Sequence, residues 1–353
     1  MKILILGGTG AMGVHLVNLL SEYPNNQLVV SSRREQSGKN NLTYVQGDAH
    51  NIAFLSQLLK ERYDVIVDFM NYHTEEFKER YQLLLASCGQ YMYLSSSRVY
   101  ANSDTPITED SPRLLDVVQD PEYLSMDEYA LAKARQEDLL RNSGYVNWTI
   151  IRPYITYSEN RLQLGVLEKE RWLYRALHGR SIVFSEDIAT RKTTLTYGLD
   201  VAKAMVALIG REGAKGEAFH ITCPYSICWN DVLSLYQKTL EKKIGRRPPF
   251  FLTEQALNLS YSWGRYQVKY DRLFNRSFDN TKISRFIDVH KFVKPQEGLV
   301  SCLEQLCNHP SFHTIGWGTE GKYDRLTHEH ASFREMQSYK DRIKYFLFRY
   351  IIK

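Results

Sequence analysis

The sequence predicts an α/β protein with a doubly wound parallel sheet, helices on both faces and a smaller C-terminal lobe. Three observations carry this prediction. Short apolar runs alternate with segments of helical apolar spacing through the first 100 residues, which is the pattern of β–α–β units. The first run, residues 2–6, leads directly into a glycine-rich turn. A helical segment over residues 14–20 follows that turn at once.

The glycine turn is the first candidate site. Its glycines are spaced as Gly7-x-x-Gly10-x-x-Gly13. Strand, glycine turn and helix in this order are typical of a Rossmann-type dinucleotide-binding unit, in which the backbone approaches a diphosphate at a helix start. Because glycine triplets also occur by chance, a plain turn remains the alternative at this point. The predicted cofactor contacts here are Gly7, Thr9, Gly10, Ala11, Met12 and Gly13.

The second predicted strand, residues 27–31, runs into the sequence Ser32-Arg33-Arg34. At this point of a dinucleotide fold, an acidic residue binds the ribose 2′-OH of NAD, whereas arginine accommodates the 2′-phosphate of NADP. The first acidic residue is Glu35, after both arginines. We therefore predict that Ser32, Arg33 and Arg34 bind NADP(H), with NAD possible. The alternative is a solvated basic loop.

The remaining elements of the first half follow the same alternation. They are predicted in the order strand 42–46, helix 51–62, strand 64–69, helix 75–87 and strand 91–94. A polar stretch over residues 101–125 predicts a surface loop. Ser125 and Glu128 have the spacing of a capping box, which predicts that the next helix begins at Ser125 and ends near Asn142.

Tyr129 and Lys133 lie four residues apart in this helix and therefore share one face. An ammonium beside a phenol favours the phenolate, which suits the tyrosine for proton transfer. In a chain with 24 tyrosines, a pair at this spacing also arises by chance. Taken alone, the pair is better explained by structure than by catalysis.

Taken together, the motifs resemble the extended short-chain dehydrogenase/reductase superfamily, which includes nucleotide-sugar epimerases, dehydratases and reductases. The resemblance rests on the glycine turn, Asp48 after the third strand, Ser96 after the fifth, and Tyr129-x-x-x-Lys133, and it spans about residues 1–300. It implies that Ser96 hydrogen-bonds the reacting oxygen, that Tyr129 is the acid/base, and that Lys133 assists Tyr129 and holds the nicotinamide ribose.

The resemblance also implies further cofactor contacts. Asp48 corresponds to the residue that contacts the adenine. The other implied contacts are Phe69, Met70, Asn71, Pro153, Tyr154 and Ile155. Sugar dehydratases of this group carry an Asp-Glu pair where this chain has Ser97-Arg98, so a 4,6-dehydratase is disfavoured. We predict that Arg98 faces the substrate, and an ion pair with an acid in residues 104–128 is the equal alternative.

Three sections are predicted. They are a Rossmann domain over residues 1–155 and about 193–224, a substrate lobe over 156–192 and 225–330, and a C-terminal amphipathic helix over 331–353. Because arginine grips phosphate bidentately, the lobe's diphosphate candidates are Asn160, Arg161, Arg180 and Arg191, with solvated surface as the alternative. Trp263, Tyr266 and Tyr270 fit base stacking or, more simply, core packing.

The C-terminal helix has an apolar stripe with basic residues around it. Docking on the protein's own core or on a second subunit is the favoured interpretation, with contact to a membrane surface as the alternative. Cys302, Cys307 and His309 are interpreted as structural, because no paired Cys-x-x-Cys spacing accompanies them, and no metal site is predicted.

Composition restricts the partners. A net charge of +5 over 353 residues suits an anionic small ligand but gives no argument for nucleic acid. No apolar stretch is long enough for a transmembrane helix, and five scattered cysteines indicate free thiols in a reducing compartment, so a cytoplasmic location is expected. A homodimer is a separate expectation. The resemblance implies a sugar or sugar-nucleotide substrate, and because Arg33 and Arg34 favour NADPH, which a reductase consumes, we predict reduction of a carbonyl on a sugar or nucleotide-linked sugar. The alternatives are 4-epimerisation and, third, a non-catalytic nucleotide-binding or RNA-binding relative.

Overall fold

The computed structural model describes residues 1–259 and 264–352. The strands are β1 (Lys2–Leu6), β2 (Gln27–Ser32), β3 (Leu42–Gln46), β4 (Tyr63–Asp68), β5 (Cys88–Leu94), β6 (Trp148–Pro153), β7 (Thr156–Tyr157), β8 (Gln163–Leu164), β9 (Leu167–Glu168), β10 (Ile182–Ser185), β11 (Lys192–Thr194), β12 (Thr196–Tyr197), β13 (Glu217–Ile221), β14 (Ser226–Cys228) and β15 (Phe250–Thr253).

The α-helices are α1 (Gly13–Ser21), α2 (Ile52–Leu58), α3 (Thr74–Lys78), α4 (Tyr81–Ala86), α5 (Leu114–Val117), α6 (Pro121–Ser125), α7 (Tyr129–Arg141), α8 (Lys169–Leu177), α9 (Glu186–Ala189), α10 (Gly198–Leu208), α11 (Trp229–Ile244), α12 (Ala256–Leu259), α13 (Arg265–Gln267), α14 (Pro295–Asn308), α15 (Trp317–Thr327) and α16 (Tyr339–Phe346). Among the described residues, no helix is both long and apolar enough to cross a membrane.

The first of two compact units contains the predicted sheet. This unit comprises Met1–Ser158, Thr194–Ser226 and Asn275–Pro295. Its seven strands are all parallel, in the order β13-β6-β5-β4-β1-β2-β3. The chain winds outward from β1 to β3 and then returns to place β4 on the other side of β1. Ligands of such sheets bind beyond the carboxyl ends of the strands at this reversal. The sequence-based fold class is confirmed.

The core of this unit lies on both faces of the sheet. Ile3 and Ile5 of β1 are fully buried in one cluster, and Leu4 and Leu6 are fully buried in the other. Because successive side chains of a strand point to opposite faces, a strand buried on both sides must be apolar throughout. This requirement explains the unbroken run Ile-Leu-Ile-Leu that precedes the glycine turn.

The second unit comprises Glu159–Thr193, Ile227–Phe274 and Gln296–Lys353. Trp172 of α8 and Tyr236 of α11 are buried in it and stack with ring centroids 4.3 Å apart. The predicted division placed all of 225–330 in the substrate lobe and separated the C-terminal helix. The structure differs, since Asn275–Pro295 belongs to the first unit and α16 packs on α15 inside the second.

The predicted helix over residues 75–87 is in fact two helices, α3 and α4. The break lies at Arg80, which is 2% exposed. Its guanidinium donates to the carbonyls of Ala49, at 3.1 Å, and His50, at 3.2 Å, while Nε donates to the carbonyl of Glu76 at 2.8 Å. Packing an arginine against these distant carbonyls outweighs the local preference for a continuous helix.

Candidate cofactor and catalytic site

The glycine turn leaves β1 through a left-handed residue. Gly7 has φ of +70°, which L side chains rarely adopt, and its N–H donates to Ser31 Oγ at 3.3 Å. A Cβ added to Gly13, where α1 begins, would lie 2.7 Å from backbone atoms of Gly8. The protein's own packing therefore requires glycine at the two ends of the turn.

Gly10 needs a different explanation, because a Cβ built there meets no atom of the described residues within 4 Å. Met12, the N-cap of α1, makes no side-chain hydrogen bond to the first turn, and that turn holds no acidic residue. Thr9 is exposed, and the carbonyl of Ala11 lies 2.7 Å from where a Cβ on Gly198 would stand. The open backbone and the uncapped positive end of the α1 dipole fit the diphosphate of a dinucleotide.

The end of β2 presents the two arginines to solvent. Ser32 is buried, and its Oγ donates to the carbonyl of Arg34 at 2.8 Å and accepts from its N–H at 3.2 Å. This small turn holds the segment that carries Arg33 and Arg34, whose side chains are both exposed. Two cations on a fixed turn suit a phosphate monoester, so the donor chemistry fits the 2′-phosphate of NADP.

The cofactor contacts that the resemblance implies after β3 and β4 lie partly on the protein surface and partly beside the glycine turn. Asp48 and Asn71 are exposed, and Phe69 packs against the core. Met70 borders the glycine turn, because a Cβ on Gly7 would lie 3.0 Å from Met70 Sδ. The structure thus brings the 69–71 segment to the turn where the diphosphate fits.

Helix α7 begins at Tyr129, not at Ser125, so the predicted capping box is wrong. Glu128 is the N-cap, and its side chain accepts the N–H of Ala130 at 2.8 Å. Ser125 instead ends α6. A glutamate that caps its own helix replaces the Ser-x-x-Glu arrangement, and it fixes where the turn carrying Tyr129 starts.

Lys133 lies one turn after Tyr129 and points toward the carboxyl ends of β4 and β5. Its Nζ donates to the carbonyl of Leu94 at 2.8 Å and to that of Met70 at 3.4 Å. Its ammonium is 5.9 Å from the centroid of the Tyr129 ring. Because Met70 also borders Gly7, the Tyr-Lys pair and the glycine turn meet at the same edge of the sheet.

Burial disfavours the charge of Lys133 and lowers its pKa from the usual 10.5 to about 8, although the negative charges of Asp68 and Glu137 act in the opposite direction.

The sequence analysis missed these two carboxylates, Asp68 and Glu137. Asp68, at the end of β4, is fully buried and accepts from Tyr91 Oη at 2.8 Å, and burial raises its pKa. Its only sequence signal is an acid at the end of an apolar run.

Glu137 lies one turn beyond Lys133 and is fully buried. It accepts from Arg152 Nη2 at 2.5 Å and from Ser95 Oγ at 2.5 Å. Burial alone would raise its pKa, but the Arg152 guanidinium holds that pKa below its usual range. The i, i+4 spacing from Lys133 was the available signal.

Ser96 stands between two serines that are fully engaged. Ser95 Oγ donates to Glu137, and Ser97 Oγ donates to the carbonyl of Arg152 at 2.8 Å. Ser96 Oγ accepts the N–H of Arg98 at 3.2 Å and, among the described residues, donates to no acceptor. The proton of the Ser96 hydroxyl is therefore available to a substrate oxygen.

Arg98 forms an ion pair with Glu128, at 2.6 Å, which is one of the two predicted outcomes. Both side chains are largely buried, 13% and 12% exposed. The guanidinium also lies over the Tyr129 ring, 5.3 Å from its centroid. The structure thus gives Arg98 a structural partner immediately beside the candidate acid/base.

The turn after β6 carries the strained residue of this site. Ile155 has φ of +28°, which is rare for a β-branched side chain. Its carbonyl accepts the N–H of Thr196 at 3.2 Å. Pro153 ends β6, and Tyr154 is 1% exposed and packs against Phe278. Tyr154 is therefore largely enclosed by protein, backbone and ring alike.

The substrate candidates lie in the second unit. Arg161 is paired with Glu168 at 2.9 Å, and the Nε of Arg191 donates to the carbonyl of Asp187 at 3.3 Å. Asn160 lines a cavity of about 250 Å³. Arg180 is buried and bonds Glu335 at 2.9 Å, so its predicted role at a diphosphate is wrong.

The predicted aromatic trio is only partly described. The rings of Tyr266 and Tyr270 stack with centroids 6.2 Å apart. Trp263 lies outside the described residues. Cys302 is buried in α14, as expected for a structural thiol.

A family model for the NAD dependent epimerase/dehydratase family matches residues 3–222 of this chain. The match covers more than half of the 353 residues, including the glycine turn and the Tyr-Lys pair. The chain belongs to the NAD-dependent epimerase/dehydratase family. Membership confirms the resemblance drawn from the motifs.

Solved structures agree on the fold. UDP-glucuronic acid 4-epimerase from Bacillus cereus, in complex with UDP-glucuronic acid and NAD, is 19% identical with a TM-score of 0.64, over 87% of this chain and 100% of its own. The dTDP-glucose 4,6-dehydratase from Bacillus anthracis, in complex with NAD, is 17% identical with a TM-score of 0.63, over 88% and 97%.

One curated relative is named as a binding protein and not as an epimerase or a dehydratase. The chloroplast stem-loop binding protein of 41 kDa b from Arabidopsis thaliana is 27% identical over 237 residues, which cover 63% of this chain. The chain spans 58% of the length of that relative.

Proposed function

We propose that this chain is an NADP(H)-dependent oxidoreductase that reduces a carbonyl of a sugar or nucleotide-linked sugar. The observation that supports it best is Lys133, whose Nζ bonds the carbonyls of Leu94 and Met70 one turn from Tyr129. This places a candidate proton donor and a buried cation at the strand ends beside the glycine turn. The family is described as NAD dependent, and the two solved structures of the same fold are complexes with NAD.

In this proposal the nicotinamide, when bound, supplies the hydride. Tyr129 Oη gives its proton to the substrate oxygen, and the Ser96 hydroxyl donates a hydrogen bond to the same oxygen. The Lys133 ammonium stabilises the phenolate left behind and holds the cofactor's ribose. The glycine turn with the N-terminus of α1 holds the diphosphate, and Pro153 to Ile155 border the nicotinamide.

The test of catalysis is Tyr129→Phe. We expect turnover to fall by about 10²–10⁴-fold, because the proton donor is lost, while cofactor binding stays nearly intact. The assay mixes the purified protein with NADPH and a panel of nucleotide-linked keto-sugars, following absorbance for turnover and chromatography for isomers. Tyr63→Phe, which alters a buried phenol at the amino end of β4, away from the proposed chemistry, is the matched control. Substantial activity in Tyr129→Phe refutes the assignment.

The test of cofactor choice is Arg33→Ala. A charge-assisted Arg–phosphate contact contributes about 1.5–3 kcal/mol, so NADP(H) affinity should fall at least about tenfold while NAD(H) affinity changes little. Lys39→Ala, an exposed cation in the same loop, is the control. Equal affinity of the unmodified protein for both cofactors contradicts the NADP(H) part of the proposal and favours the second reaction, 4-epimerisation with NAD retained.

A second candidate function is the binding of a stem-loop RNA, which the name of the curated relative suggests. A gel-shift titration with a stem-loop RNA, with and without NADPH, distinguishes it from catalysis. Retention of RNA together with no turnover on any nucleotide sugar would favour this candidate.

We also propose a homodimer in a reducing compartment such as the cytoplasm. All five cysteines are free thiols, which suits that compartment.

A further inference from the structure

The C-terminal segment of the second unit docks on α15 through one of its faces. Helix α16 continues through a π-helical turn, Leu347–Ile351. Tyr345 is 2% exposed, and its hydroxyl donates to Asp324 at 2.6 Å. A Cβ on Gly321 would lie 2.6 Å from the carbonyl of Tyr345, so the two helices are in backbone contact. One face of the C-terminal segment is therefore buried against α15.

A second apolar face of the same segment is not covered by any residue that the structure describes. The side chains of this face are largely exposed, and the first four are spaced three or four residues apart, with the fifth directly after the fourth. They are Tyr339, Ile343, Phe346, Tyr350 and Ile351, exposed by 80%, 57%, 47%, 60% and 60%. We call this set the C-terminal stripe. A contiguous row of large apolar side chains in solvent marks an interaction surface.

The charges beside the stripe are mainly positive. Lys340, Arg342 and Lys344 are exposed, and Arg349 is half-buried over the Tyr350 ring. Asp341 is the one acidic residue between positions 339 and 351. An apolar row flanked by Lys and Arg has the composition of a helix that lies in a membrane interface, and these cations complement anionic headgroups.

We infer that the C-terminal stripe docks on the surface of a bilayer that contains anionic lipids. A second copy of the chain fits less well, because a two-fold contact through the stripe would bring the cations of both copies together. RNA fits less well too, because Ile343 and Ile351 have no ring face on which a base could stack. This inference does not depend on the proposed activity.

The experiment is co-sedimentation of the full chain with phosphatidylcholine vesicles that either lack phosphatidylglycerol or contain about 30% of it. We expect pelleting with the anionic vesicles only, and its loss at about 0.5 M salt. The triple change Ile343→Ser, Phe346→Ser and Tyr350→Ser should weaken pelleting at least about tenfold, and Arg342→Glu with Lys344→Glu should do the same. Both sets alter surface positions, so their melting temperatures should match the unmodified protein.

The matched control is Tyr23→Ser with Val146→Ser, which removes two exposed apolar side chains from the first unit and should leave pelleting unchanged. If the triple variant fails to fold, Phe346→Ser alone decides the question. Absence of pelleting overturns the inference, as does equal pelleting with both vesicles at high salt. It is also overturned if the stripe variants dissolve a dimer, or abolish RNA retention, in a protein that binds no vesicle.

Discussion

At the scale of single residues, Lys133 is buried, and burial disfavours the positive charge of its ammonium group. The ammonium is held by two backbone carbonyls, those of Leu94 and Met70, and by the more distant carboxylates of Asp68 and Glu137. A lysine in bulk solvent would stay charged far above neutral pH, whereas a pKa of about 8 places its titration just above it. Any function of the ammonium should therefore be lost in mild alkali.

We predict that NADPH affinity falls as the pH rises from about 7 through about 8, because Lys133 is an ammonium below its pKa and neutral above it. Loss of a charge-assisted bond should weaken binding about tenfold or more. The measurement is a fluorescence titration of NADPH across this range. Lys133→Met should bind weakly at every pH. An unmodified protein whose affinity stays constant to about pH 10 would contradict the role of Lys133.

Which site residues could be predicted depended on whether their partners are local in sequence. The spacing of Tyr129 and Lys133 is visible in the sequence, and it indicated catalysis only together with the other motifs. The spacing of Glu137 from Lys133 is visible too, but its bond to Arg152, 15 residues on, is not, and neither is the bond between Asp68 and Tyr91, 23 residues on. A buried carboxylate is stable only with such partners, which residue type and local pattern do not reveal.

At the scale of elements, strands were easier to predict than helix boundaries. The strands of the first unit are apolar runs, and apolar runs are visible in the sequence. Helix ends depend on single hydrogen bonds, as with Glu128 capping α7 in place of Ser125, and on buried side chains, as with Arg80 dividing α3 from α4. The element that presents Tyr129 is therefore positioned by contacts that local spacing does not report.

The Arg98–Glu128 pair should stabilise the start of α7. We predict that Arg98→Ala lowers the melting temperature by a few °C, for about 1–3 kcal/mol, because it leaves a largely buried carboxylate without its cation. Adding Glu128→Ala should cost less than the sum of the two single changes, which calorimetry on the four proteins measures. Lys60→Ala, at an exposed position, is the control. An unchanged melting temperature with reduced turnover would instead make Arg98 a substrate contact.

At the scale of the whole molecule, the sequence predicted the first unit better than the second. The glycine turn and alternating strands define the first unit through local patterns. The second was predicted less well, because the return of Asn275–Pro295 to the first unit has no local signal. Its interior is also unusual, because two guanidinium groups, Arg175 and Arg180, face four carboxylates, which are Glu320, Asp324, Glu329 and Glu335.

Because carboxylates outnumber guanidinium groups in this cluster, we predict that removing the charge of Arg175 and removing that of Glu320 change the stability of the protein in opposite directions. Arg175→Met leaves Glu320 and Asp324, both almost fully buried, with a single cation, so stability should fall by about 3–5 kcal/mol. Burial raises the pKa of Glu320, which means that the folded protein disfavours its ionised form. Glu320→Gln keeps an oxygen for Arg175 Nη1 and removes that unfavourable charge, so at neutral pH its melting temperature should equal or exceed that of the unmodified protein.

The stability difference between Glu320→Gln and the unmodified protein should depend on pH, and the direction of that dependence is the control for the Glu320→Gln prediction. Glu320 is protonated in the folded protein at a higher pH than in the unfolded chain, so its penalty is absent in acid and appears as the pH rises through the raised pKa. Any advantage of Glu320→Gln in calorimetric scans should therefore shrink toward about pH 4, below the ordinary carboxyl pKa. If Glu320→Gln were as destabilising at neutral pH as Arg175→Met, the charge of Glu320 would be required, because the amide preserves its shape and its acceptor oxygen.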